Sequence, residues 1–132
     1  MGEAFTLLDH TADVKVRATG PNFGATLANV ARGMLAVLYD SLSAHFEFHR
    51  ELEITGYDRA SLVVSFLNEI LYTLESEGLV PVEFSAVRVD GHALVTTVGW
   101  GRPSGPALRE IKAATYHDLK VTDTVMEVVF DL

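Results

Sequence analysis

The feature that most constrains this chain is a pair of helical patterns set between runs that alternate like strands. From Leu27, apolar residues recur at Val30, Ala31, Met34, Leu35 and Leu38, the steps of one face of an amphipathic helix. Asn22 suits its N-cap, and Tyr39-Asp40-Ser41 ends it. A second stripe, Leu62, Val63, Phe66, Leu67, Ile70, Leu71 and Leu74, follows Asp58 as N-cap and stops at Gly78, a residue suited to a left-handed helix end. This is the most apolar element and the expected packing centre. Strand patterns flank both helices, at residues 5–8, 14–19, 46–54, 82–89, 93–100 and 124–130. Asp90-Gly91 predicts a hairpin turn, and residues 111–121 read as a strand pair or one long bent strand. The predicted class is α+β: one domain over residues 1–132, mostly antiparallel sheet, with two amphipathic helices covering one face.

Bulk properties narrow the function. The 132 residues, 48% hydrophobic and 21% charged, suffice for a core and exclude a disordered chain. With 18 acidic against 10 basic side chains the net charge is −8, which repels phosphate backbones. Strong direct nucleic-acid binding is therefore not expected, and a cation or a basic protein partner fits better. Absence of cysteine excludes disulfides, thiolate metal sites and a Cys nucleophile. No apolar run reaches membrane-span length and no signal-peptide pattern opens the chain, so a soluble, cytoplasmic protein is expected. There is no phosphate-cradling glycine motif and no nucleophile motif, and nothing requires an enzyme.

Four clusters carry chemistry. In Leu8-Asp9-His10-Thr11-Ala12-Asp13, Asp9 and Asp13 lie on the same side of an extended segment as Thr11. They are either turn formers at a strand end or cation ligands. Asp131 and the carboxylate of Leu132 end an apolar strand pattern, as solvated charges or as two anions held near a cation. If the first and last strands are neighbours, Asp13, Asp131 and Leu132 converge as a hard-oxygen set for Ca²⁺, Mg²⁺ or Mn²⁺. Two of the chain's three lysines, Lys112 and Lys120, fall in one reactive stretch; Lys112 suits either a phosphate contact or an ordinary cross-strand salt bridge. Finally, His45, Glu47 and His49 alternate onto one strand face, mimicking a metal triad, with a solvated sheet face the favoured reading.

Leu8-Asp9-His10-Thr11-Ala12-Asp13, Ser61 to Tyr72, Glu110 to Leu119 and the closing Asp131-Leu132 together resemble the archease family, in that family's order and over nearly the whole chain. Archeases are helper proteins of the RtcB-type RNA ligase, which seals tRNA halves and other RNA ends bearing 2′,3′-cyclic phosphate or 3′-phosphate. The resemblance implies an α+β fold and a non-catalytic activator that promotes GTP-dependent guanylylation of the ligase histidine and sustains turnover. It implies a divalent-metal site at Asp13, Asp131 and the Leu132 carboxylate, an essential Lys112, and supporting roles for Asp9 and His10. Residues 21–26 depart from the acidic helix start usual in the family. Two other classes compete: a metal-dependent phosphohydrolase using the same carboxylates, and a general chaperone resting on fold likeness alone.

Overall fold

The computed structural model describes residues 4–9 and 13–132. The elements run β1 (Phe5–Asp9), β2 (Asp13–Thr19), α1 (Phe23–Tyr39), β3 (Ala44–Thr55), α2 (Arg59–Glu77), β4 (Val80–Phe84), β5 (Arg88–Asp90), β6 (Ala93–Pro103), β7 (Ala113–Ala114), β8 (Lys120–Val121) and β9 (Val125–Asp131). The α+β class, the two helices and the antiparallel pairing are as the patterns predict. The strands, however, divide into two sheets. One has the order β1-β2-β9-β7 with β8 also paired to β9; the other has the order β3-β6-β4 with β5 also paired to β6. All pairings are antiparallel.

Both helices form where capping chemistry permits. Asn22 accepts a hydrogen bond from the Ala25 N–H at 2.9 Å. At α2, Asp58 and Ser61 form a reciprocal capping box, and Gly78 closes the helix in the left-handed conformation with φ 70°. Helix α1 packs on the first sheet, against β1, β2 and β9, whereas α2 touches β3 and β4 of the second sheet and β7 and β8 of the first. Helix α2 therefore bridges the two sheets, which is why its stripe is so broad. Leu27, Met34, Phe66, Leu67, Trp100 and Phe130 are fully buried in one continuous core.

Three local expectations are corrected. Residues 82–89 are not one strand: the chain leaves the sheet between Phe84 and Arg88, where the Ser85 hydroxyl donates to the Thr97 carbonyl and accepts from the Thr97 N–H. The Ser85 N–H also donates to the Thr97 carbonyl at 3.0 Å, so the hydroxyl adds the donor–acceptor pair that ends the strand. Residues 111–121 are mostly irregular, with only β7 and β8 in strand and Asp118 at φ 49° in the turn between them. Strand β3 is longer than its pattern, and Phe46 and Phe48 are both exposed instead of forming a buried stripe. A bulge between these two residues shifts the register against β6 and reverses the alternation.

Candidate functional site

The register between β2 and β9 assembles the site. It sets Asp13 directly opposite Asp131, Lys15 opposite Val129 and Arg17 opposite Glu127. Paired residues project from the same face of a sheet. Because Val14, Val16 and Ala18 point into the core, Asp13 and Asp131 share the outer face. Strand β7 extends the row, with Ala113 opposite Asp131. Leu132 follows directly, and the Lys112 N–H donates to the Asp131 carbonyl at 2.8 Å. Four residues singled out in the sequence, Asp13, Lys112, Asp131 and Leu132, thus meet at one end of one sheet. The side chain of Asp9 and the whole of His10 lie outside the described residues.

Carboxylates placed directly across a strand pair repel one another. The two cations of β2 do not serve Asp131: Lys15 and Arg17 both turn to Glu127, each at 3.6 Å. One row further in, Val129 is only 1% exposed although it lies on the outer face, so the pair borders covered apolar surface on that side. Such a border raises the strength of any charge interaction at its edge. The donor set is purely oxygen, which suits a hard divalent cation. Among the described residues no three His, Asp or Glu side chains gather as a metal site. Asp13 and Asp131 bring two side-chain carboxylates to the same face at this end of the sheet.

Lys112 is exposed and lines a groove of about 720 Å³ between the later turns of α2 and the segment leading into β7. Leu71, Tyr72, Leu108 and Ile111 give the groove an apolar floor, and Arg109 joins Lys112 as a cation along it. The segment is fixed to the end of α1 by the N–H groups of Leu108 and Arg109, which donate to the Leu38 carbonyl at 2.7 and 3.3 Å. On the β7 side it is held by Asn68 of α2, whose carboxamide bonds both the N–H and the carbonyl of Ala114. Sequence pattern did not single out Asn68; its only signal is a carboxamide beside an otherwise apolar helical stripe.

The alternation of His45, Glu47 and His49 does not survive folding. The bulge brings Phe46 beside His49, with ring centroids 4.9 Å apart. His49 Nε2 then meets Glu83 Oε1 at 3.0 Å, while Glu47 accepts from Arg102 Nε at 3.1 Å. Each of these two carboxylates has its own basic partner, as a solvated face requires.

Comparison with known proteins gives the family and the fold. Residues 5–132 match the model of the Archease protein family (MTH1598/TM1083). The protein archease of Methanosarcina barkeri is 33% identical over 130 residues, covering 93% of this chain and 89% of that protein. That of Pyrococcus furiosus is 31% identical over 119 residues, covering 86% and 84%. Among solved structures, the solution structure of Methanobacterium thermoautotrophicum protein 1598 superposes with a TM-score of 0.76 at 27% identity, covering 99% of this chain and all of that one. The crystal structure of a Thermotoga maritima archease, described as a possible chaperone, gives 0.65 at 22% identity over 95% and 94%, a likeness of fold alone. The chain belongs to the archease family.

Proposed function

We propose that this protein activates an RtcB-type RNA ligase, promoting its GTP-dependent guanylylation and repeated turnover without itself joining RNA. Family membership supplies the partner class, and the observation that carries the reading is the Asp13–Asp131 pair with Lys112 anchored to the Asp131 carbonyl. Asp13, Asp131 and the Leu132 carboxylate are the residues that would hold one divalent cation. Bound there, the cation would offset negative charge on transferring phosphoryl groups. Lys112 contributes a point charge able to meet a phosphate oxygen. Phosphoryl transfer depends chiefly on positioning and electrostatics, so a helper that only positions groups at the ligase can change its rate substantially. The exposed Asp131 and the apolar groove beside Lys112 offer a polar and an apolar contact to the same partner.

The test is single-turnover guanylylation of a ligase from the same cell, with GTP and Mg²⁺ or Mn²⁺. Lys112→Ala should slow activated guanylylation by on the order of 10- to 100-fold, less than the loss seen for donors buried inside an active site. Residues added after Leu132 turn the carboxylate into an amide and should abolish activation. Full activation by both altered proteins would refute the reading. Turnover of GTP by this protein alone would favour a phosphohydrolase instead.

A further inference from the structure

Strand β7 is two residues long and lies at the end of its sheet, paired to β9 on one side only. Such an edge leaves backbone groups without a strand partner. Ala114 is 4% exposed, so water cannot readily serve its outward N–H and carbonyl. Asn68 serves both: Oδ1 accepts from the Ala114 N–H at 2.8 Å, and Nδ2 donates to the Ala114 carbonyl at 3.2 Å. A carboxamide carries the same donor and acceptor pair as a peptide group, so Asn68 stands in for one residue of a missing strand. Its own position is firm, because it projects from α2 between a capping box and a left-handed glycine cap.

The segment is gripped from the other side by β9. The Lys112 N–H donates to Asp131, and the Thr115 N–H and hydroxyl both donate to the Val129 carbonyl at 3.0 and 2.9 Å. Lys112 therefore keeps its place beside Asp131 in a short stretch held upstream by the Leu38 carbonyl, on one edge by β9 and on the other edge by Asn68. The carboxylates, by contrast, stand on β2 and β9, whose seven-residue register does not involve Asn68.

We propose that Asn68 is a positioning residue that holds Lys112 in register with the Asp13–Asp131 pair; this rests on the activator reading above. Its loss loosens the stretch that carries the lysine and leaves the carboxylates where they are. Two measurements on Asn68→Ala and Asn68→Asp test it. In amide exchange, Asn68→Ala should speed exchange at Ala114 and Lys112 at least tenfold while Val14 and Val16 stay protected. Asn68→Asp keeps an acceptor for the Ala114 N–H and should retain more of its protection. In ligase guanylylation, Asn68→Ala should lose activation as Lys112→Ala does, and the double variant should be no worse than Lys112→Ala, since both act through one group. The Mn²⁺ affinity of Asn68→Ala should equal that of the wild type. Unchanged exchange at Lys112 and Ala114, or activation losses that multiply in the double variant, would overturn the proposal. If Lys112→Ala activates normally, the activator reading falls, and the exchange result alone decides whether Asn68 fixes Lys112.

Discussion

Gly33, in the middle of α1, shows how closely this helix approaches its sheet. A Cβ there would sit 2.5 Å from Val16 Cγ1 and 3.1 Å from the Phe5 ring. Replacing glycine by alanine inside a helix normally favours the helix by about 1 kcal/mol. Overpacking a filled core costs about 1–3 kcal/mol. Because Val16 is fully buried and belongs to the strand that carries Asp13, the second effect should win. Gly33→Ala is predicted to lower the denaturation midpoint, read by chemical unfolding; a rise would mean that β2 moves away from α1 easily. Nothing in the sequence announces this contact, since a glycine in an apolar helical run reads the same whether or not a strand presses on it. Asp13 and Asp131 were legible as residue types, but their pairing was a conjecture about neighbouring strands that only the register resolves.

Elements with their own stop and start signals were the legible ones. Helix α2 begins at an Asp58 cap and ends at Gly78 because each signal is local. Residues 111–121 were not legible as irregular, because what holds them is the Asn68 carboxamide and the Val129 carbonyl, both distant in sequence. The bulge in β3 was equally hidden, and with it the splitting of His45, Glu47 and His49. Elements are also joined by charge. Arg50 of β3 meets Glu77 at the end of α2 through two hydrogen bonds, at 2.8 and 3.1 Å. The hydrogen bonds from Arg50 hold the Glu77 carboxyl below its usual range. A carboxyl depressed in the folded state adds stability above its unfolded pKa and loses it as pH falls through the folded value. Wild-type protein should therefore melt higher than Glu77→Gln at neutral pH, with the gap closing as pH drops below the ordinary glutamate range. The gap should be small, since both side chains are exposed to solvent. A gap that stays constant from pH 7 down to acid would show that the ion pair is not its source.

At the scale of the whole molecule, the fold joins the first and last parts of the described chain. Strand β9 lies between β2 and β7, so both sides of the site depend on one strand being in register. A slip of one residue along β9 would turn Asp131 to the core face and Phe130 outward. The buried Met126, Val128 and Phe130 penalise such a slip, so hydrophobic packing fixes the carboxylate pair. The net charge of −8 favours attraction of cations over phosphate backbones. The proposed cation site depends on this register. Titration with Mn²⁺, followed by paramagnetic broadening of backbone amide signals, measures it most directly. Amides near Asp13, Ala113 and Asp131 should broaden first, and Asp131→Asn should remove the effect. Broadening that begins elsewhere, for instance around His49 and Glu83, or that persists unchanged in Asp131→Asn, would contradict it.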